Sequence, residues 1–420
     1  MPALSLIALV RVTGPEAAGQ VIFAQSVANL GFLLCDPCLE NAAQRFVPVE
    51  QRRSGRGYAL FLRLLRLDAG IGLAATSVAL VAVLGAWLAG LASDVLALLL
   101  ALSVVGRGAT APYGTATAGF ALADRLQVSG MLRVLGALLS FVLSLAGLFA
   151  GGPLFYLAGQ AVAALLMAAG FCLLASRAAA RTLGACRGGT PPLPAGIFRF
   201  TLSTSIGTSV ASVSDFGILA VAGPVGGPPL VTILKIAMAP GRFYANLAIP
   251  VAAMLYPRLA QAAAHGAGEA GVRRDITRAT LLLAAAGAVT AVLAIPALGT
   301  VIAIAYGREY AGTGTVAVLL LGAACVKGIA CWSNVLPLAM GRPGWRLVYL
   351  STEAALLVGT LLVAGRVTSG ALATALPFAW GTLVIAVLGT SFWIMSLGRL
   401  IRPCPDLGTP TAERVAARQT

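Results

Sequence analysis

Residues 134–176 read VLGALLSFVLSLAGLFAGGPLFYLAGQAVAALLMAAGFCLLAS, and not one of them is charged. A helix needs roughly 20 mostly apolar residues to cross a bilayer core of about 30 Å. This stretch is long enough for two, and Gly151-Gly152-Pro153 divides it near its middle. It reads as two membrane spans joined with almost no loop. The reading extends outward in both directions. Residues 69–92 carry no charge, 281–306 form another clear span, and 367–398 are long enough to cross with a tilt. With the weaker segments filled in, twelve spans are expected, at about 1–12, 20–42, 69–91, 94–119, 130–150, 153–175, 198–222, 230–256, 279–304, 313–338, 346–365 and 369–397. The first is too short to cross, and the expectation is a true start upstream of Met1.

Composition agrees. Of 420 residues 59% are apolar and 10% charged, against about 25% charged in an ordinary soluble domain. A soluble enzyme, a disordered chain and a disulfide scaffold are thereby excluded. The net charge of +15 would fit nucleic acid only if the basic residues gathered on a polar domain, and there is none. Loops after even-numbered spans, with their flanks and the tail, hold 22 of the 29 basic residues. Loops after odd-numbered spans hold Arg11, Arg308 and Arg366. Basic loops stay in the cytoplasm, so both termini are expected there. The use of 27 arginines against two lysines points to a GC-rich bacterial gene.

Seven cysteines (35, 38, 172, 186, 325, 331 and 404) sit mostly in apolar runs and read as small hydrophobes. Cys35-Asp36-Pro37-Cys38 has redox spacing but no βαβ context. His265 is the only histidine, which argues against a His-based metal site or triad. No Walker A loop and no catalytic constellation appears. No cofactor, no metal and no enzymatic activity are expected.

An internal repeat is visible. Gly14-Pro15 follows the first span and Gly223-Pro224 the seventh, 209 residues later; Gly31 and Gly241 repeat at an offset of 210. The fold class expected is all-α: a polytopic membrane protein of about twelve transmembrane helices in two pseudo-symmetric six-helix lobes. The lobes are 1–190 and 191–401, with a disordered cytoplasmic tail at 402–420. Transporters built from such repeats hold substrate near the midplane at the repeat interface.

Intramembrane charges are costly and face a bundle interior or a wet cavity. The basic ones are Arg107, Lys235, Arg242 and Lys327. Lys235 and Arg242, seven residues apart, share a helix face two turns apart, beside a Pro240 expected to kink the helix. Guanidinium pairs donors against phosphate oxygens, so these four are the candidate substrate-binding set. The acidic residues Asp215, Glu353 and Asp36 are candidate ion-coupling sites or counter-charges, and Glu40 lies near Asp36. The same charges equally read as buried structural pairs. The hydroxyls of span 7 (Thr201 to Ser214) and span 4 (Thr110, Tyr113, Thr115, Thr117) suit either sugar contact or helix packing.

Five motifs carry a family resemblance: Gly14-Pro15-Glu16-Ala17-Ala18-Gly19; Asp215-Phe216-Gly217-Ile218-Leu219; Pro250 through Tyr256-Pro257-Arg258-Leu259; Tyr306-Gly307-Arg308-Glu309-Tyr310; and Ala339-Met340-Gly341-Arg342-Pro343. Together they resemble oligosaccharide flippases of the polysaccharide-transporter branch of the multidrug/oligosaccharidyl-lipid/polysaccharide exporter superfamily. The chain departs from that pattern in its short first span and in Asp36-Pro37-Cys38, where a Gly-rich end to span 2 is usual. The resemblance implies export of undecaprenyl-pyrophosphate-linked oligosaccharide across the inner membrane by alternating access. Lipid-linked oligosaccharide, membrane lipids, and a polysaccharide polymerase with its chain-length machinery are the implied partners. A cation-coupled drug exporter of the same fold is the alternative. A membrane glycosyltransferase or polymerase fits poorly, because the longest loop on the outer side is about eight residues.

Overall fold

The computed structural model describes residues 2–184, 192–194, 196–264, 269–340 and 343–401. His265, Gly341, Arg342 and the tail 402–420 lie outside the described residues, as do the side chains of Asp215 and Arg258. The described chain is all-helical: α1 (Pro2–Cys35), α2 (Leu39–Ser54), α3 (Gly57–Leu88), α4 (Asp94–Ala109), α5 (Tyr113–Leu122), α6 (Leu126–Gly151), α7 (Pro153–Leu183), α8 (Ile197–Ser212), α9 (Ile218–Ala264), α10 (Glu269–Tyr306), α11 (Thr313–Ile329), α12 (Leu336–Ala339), α13 (Pro343–Val367) and α14 (Ala371–Ile401). Among the described residues nine helices are long and apolar enough to cross a membrane. The other expected segments are the part of α1 before Gly14, α8 with the π-helical turn Val213–Gly217 that follows it, and the shorter apolar α11.

The junctions between spans follow from glycine and proline chemistry. Gly152 has φ +77° and an extended ψ of −153°, and Pro153 then opens α7. Positive φ with extended ψ is a glycine conformation, and proline fits the first turn of a helix. The chain reverses over that residue, so α6 and α7 lie antiparallel. Their backbones approach closely because Gly147 faces Phe155 and Gly159 faces Leu143 with no side chain between. Gly14-Pro15 repeats the geometry, with φ +77° and ψ 177° at Gly14. So does Gly227-Pro228, with φ +73° and ψ −178° at Gly227. The structural counterpart of Gly14 is therefore Gly227, at an offset of 213 residues. The Gly223-Pro224 pair chosen from sequence passes through regular helix, since α9 has non-helical angles only at Gly226 and Gly227. Pro240 does not break α9 either. It stands inside the helix with helical angles, where it removes one backbone donor.

Three expected spans are discontinuous, the third being span 10, where α11 gives way to a 3₁₀ turn and α12. Span 2 breaks at 36–38, where the Asp36 Oδ1 accepts the Cys38 N–H at 2.9 Å and Cys38 takes φ +49°. The amphipathic α2 that follows buries Leu39, Ala42, Ala43 and Val47. It fills much of the segment read from sequence as a connector. Span 4 breaks at 110–112, between α4 and α5.

By compactness the chain divides into two units, Met1–Thr232 and Ile233–Thr420. The first includes α8 and the start of α9, which dock on α1. There Ser209 Oγ donates to the Leu33 carbonyl at 3.0 Å, Thr232 Oγ1 donates to the Pro15 carbonyl at 2.7 Å, and Gly19 leaves room for the Pro228 backbone. This is a division by packing. The division into lobes 1–190 and 191–401 is one by repeat.

The hairpin geometry gives a direct test. Gly152→Ala forces a Cβ onto a glycine-only conformation, and a loss of about 1–3 kcal/mol is expected in detergent unfolding. Gly170→Ala, in regular helix with nothing near the new Cβ, should leave stability unchanged or slightly raised.

Candidate functional site

Three of the charged side chains within the spans, Asp36, Arg107 and Lys327, stand at broken helices. In the first unit α4 ends on Arg107-Gly108-Ala109, with Arg107 in the last turn. A cation there meets the negative end of the helix dipole. Arg107 is half-buried; its Nη1 donates to Thr110 Oγ1 at 3.0 Å, and that hydroxyl donates back to the Arg107 carbonyl at 2.8 Å. Its Nε is buried with no hydrogen-bond partner. Gly108 allows this turn to lie under Thr76, where a Cβ would collide with the hydroxyl. Asp36, Asp68 and Arg107 line one small cavity of about 30 Å³, closed by Phe32, Gly72 and Ala111.

Asp68 was not singled out from the sequence. It sits one residue before the first uncharged run and one turn from Arg63 and Arg66, so it read as the end of a basic connector. The structure places it inside α3 at 5% exposure, with its Oδ2 accepting from Thr115 Oγ1 at 2.6 Å. The signal that could have found it is Thr115 itself, a hydroxyl in an apolar helix on the neighbouring span. Thr115 is fully buried on α5 and committed to Asp68, so it is not a sugar contact. Thr117 donates to the Tyr113 carbonyl and accepts from Arg133, and the Tyr113 ring stacks on Phe171 at 5.0 Å. These span-4 hydroxyls serve packing, as does Ser209 in span 7.

The second unit repeats the device. α11 ends on Lys327-Gly328-Ile329, and the chain then passes through the 3₁₀ turn Cys331–Asn334 into α12. Lys327 precedes its break by the interval at which Arg107 precedes Thr110, and each basic residue is followed by glycine. The offset is 220 residues for both members of the pair. Gly328 packs beneath the fully buried Tyr244, whose hydroxyl donates to the Leu283 carbonyl at 2.8 Å. Lys327 forms an ion pair with Glu353 of α13, the lysine 36% exposed and Glu353 only 7%. Two residues expected in different roles, one binding substrate and one coupling an ion, are thus brought together.

Lys235 and Arg242 are both half-buried on α9, two turns apart. Asp215 lies in the π-helical turn Val213–Gly217. Glu40 lies against Gly114. Among the described residues no three His, Cys, Asp or Glu side chains are placed to hold a metal ion.

No family model matches the sequence. No curated protein matches it either. Solved structures do. An inward-facing conformation of a multidrug resistance MATE family transporter of the MOP superfamily aligns with TM-score 0.76 at 16% identity, over 95% of this chain and 94% of that one. A MATE structure in complex with MaL6 aligns with TM-score 0.66 at 15% identity, over 95% and 93%. An outward-facing MATE transporter aligns with TM-score 0.59 at 17% identity, over 94% and 91%. The chain has the fold of a MATE-type polytopic membrane transporter, and it is a multi-pass membrane protein.

The ion pair can be tested by a double-mutant cycle. Removing one partner of a buried pair leaves an uncompensated charge, whereas replacing both with apolar residues is often tolerated. Glu353→Leu should lower stability clearly, and Lys327→Met/Glu353→Leu should recover much of the loss. A double-variant loss equal to the sum of the Glu353→Leu and Lys327→Met losses would show that the pair carries no coupling.

Proposed function

We propose that this protein is a flippase for lipid-linked oligosaccharide. It moves undecaprenyl-pyrophosphate-linked repeat units across the bacterial inner membrane by alternating access, for polysaccharide biosynthesis. The observation that carries the reading is the set of cations kept inside the spans. Arg107 and Lys327 each end a half-helix at matching points of the repeat, and Lys235 and Arg242 share one face of α9. A pyrophosphate cannot enter hydrocarbon without partners. Guanidinium and ammonium groups along the path supply them. The lipid tail stays in the bilayer throughout. Asp36, Asp215 and Glu353 are the proposed counter-charges or coupling groups, and Asp68 joins them as a buried carboxylate beside Asp36 and Arg107. The arginine-rich loops support a cytoplasmic position for both termini. The polymerase and chain-length machinery are the proposed downstream partners. The two six-helix lobes, 1–190 and 191–401, are the proposed moving halves.

A second reading is a cation-coupled multidrug exporter. It is favoured by two solved structures that share the fold, both multidrug resistance MATE family transporters, and by the carboxylates Asp36, Asp68 and Glu353.

The two readings separate in a deletion strain. On the flippase reading, undecaprenyl-linked glycan accumulates on the cytoplasmic face. Wild-type protein restores export, and Lys235→Ala/Arg242→Ala does not, although it reaches the membrane in normal amount. If no glycan accumulates and the strain becomes sensitive to cationic drugs, the flippase reading is wrong and the exporter reading stands.

A further inference from the structure

The first unit holds an uncharged polar patch that the cationic path does not use. It lies on α1 and α7. Gln25 Nε2 donates to Gln160 Oε1 at 2.7 Å, from one helix to the other. One turn further along α1, Asn29 Nδ2 donates to the backbone carbonyl of Gln25 at 2.7 Å. Tyr156, one turn before Gln160, is buried, and its hydroxyl bonds to Ser5 and Gln160. Gln25 stands 11 residues from both Gly14 and Asp36. That is about 16 Å along the axis in each direction, near the middle of a core of about 30 Å.

Polar side chains often join membrane helices, and the Gln25–Gln160 bond joins spans 2 and 6 in that way. Asn29 is not explained so. The one side-chain hydrogen bond it makes among the described residues stays on its own helix. Asparagine is also a poor helix former, so neither packing nor propensity calls for it there. The bonds made leave capacity over. A carboxamide has two N–H donors and an acceptor oxygen. Gln25 and Asn29 each spend one N–H, and their side-chain oxygens have no partner among the described residues. Both residues are half-buried, as is Gln160. Such groups are costly against hydrocarbon, so this face of α1 meets a polar medium.

The same face leads to the charged cavity. Gln25, Asn29, Phe32 and Asp36 fall within about 60° of one another around the axis of α1. Phe32 and Asp36 line the cavity that Arg107 shares. Gly106 packs on Ala161, so Arg107 and Gln160 each adjoin the same contact between α4 and α7.

The occupant follows from the groups left over. An ionised phosphate only accepts, and cannot satisfy the free oxygens. A cationic drug only donates, and no carboxylate stands among the three amides to hold it. A sugar hydroxyl both donates and accepts, and neighbouring hydroxyls on a ring match carboxamides one turn apart. Thr115 and Thr117, span-4 hydroxyls expected to suit the sugar, are spent on packing.

We propose that Gln25, Asn29 and Gln160 form a sugar-binding patch in the first unit, which holds hydroxyls of the oligosaccharide while Arg107 holds its pyrophosphate. The proposal rests on the flippase reading for the identity of the substrate. It gives the sugar contact to carboxamides of spans 2 and 6.

The test measures binding to the full chain in nanodiscs, with two probes. One is undecaprenyl pyrophosphate, which has no sugar. The other is the undecaprenyl-linked glycan pool extracted from the deletion strain. Wild type is expected to hold the glycan form more tightly. Asn29→Leu should lower affinity for the glycan form about tenfold and leave that for undecaprenyl pyrophosphate unchanged. Asn29→Gln keeps a carboxamide and should stay close to wild type. The Asn29 amide bonds to no other helix, so the fold is spared. Gln25→Leu/Gln160→Leu should show the same selective loss, whereas Arg107→Ala should weaken both probes. Equal binding of the two probes by wild type would overturn the proposal. So would an Asn29→Leu variant that keeps the preference or loses both probes alike. Any of these results, with glycan accumulating in the deletion strain, would leave the flippase reading standing without the patch. Neither probe bound and no glycan accumulated would remove the flippase reading, and the patch with it.

Discussion

A peptide group in hydrocarbon can bond only to its own protein, and that constraint shapes every helix and every break in this chain. Unsatisfied backbone groups cost several kcal/mol each in the bilayer core, so irregular backbone survives there only when buried in protein or lining a cavity. The breaks meet this condition with short-range bonds. At 110–112 the amides of Thr110, Ala111 and Tyr113 bond to the carbonyls of Arg107, Gly108 and Thr110. At 330–335 the amides of Ala330, Ser333 and Val335 bond to Lys327, Ala330 and Trp332. At 36–38 a side chain does the work, through Asp36 and the Cys38 amide. Breaks that are satisfied internally leave the adjoining side chains free to carry charge, and Arg107, Lys327 and Asp36 all stand at such points.

The breaks in spans 4 and 10 show how a repeat diverges. In the first unit the cation is Arg107, held by a threonine one turn on and set beside a cavity that two carboxylates share. In the second it is Lys327, drawn to a glutamate on another span. The helical scaffold and the basic-glycine pair are common to both. What differs is the source of the counter-charge, which comes from α1–α2 and α3 in one case and from α13 in the other. The same position in the repeat therefore borders a small cavity in one unit and carries an ion pair in the other.

Much of the architecture is legible in the sequence because the bilayer makes length and polarity decisive. The uncharged runs at 69–92, 134–176 and 281–306 all become helices, and Gly152-Pro153 marks its reversal as expected. The register of the repeat is not legible in the same way. Gly223-Pro224 and Gly227-Pro228 are alike as strings, and only the positive φ at Gly227 separates them. The Lys327–Glu353 pair joins residues 26 apart on different spans, a contact that hydropathy cannot order. Asp68 was hidden because its charged neighbours in sequence, Arg63 and Arg66, are basic, while its neighbours in space are Thr115 and Arg107.

The turn at Gly152-Pro153 bears on how the protein is made. A loop of one residue offers no polar segment that could be drawn across the membrane after its leading helix has settled. The short turn and the matched glycine faces suit α6 and α7 to entering the bilayer together as a hairpin. The insertion machinery handles them as a single object twice the width of a helix. A substitution at that glycine is therefore read first during biogenesis, as a hairpin that fails to close, before it is ever read as lost stability in the finished protein.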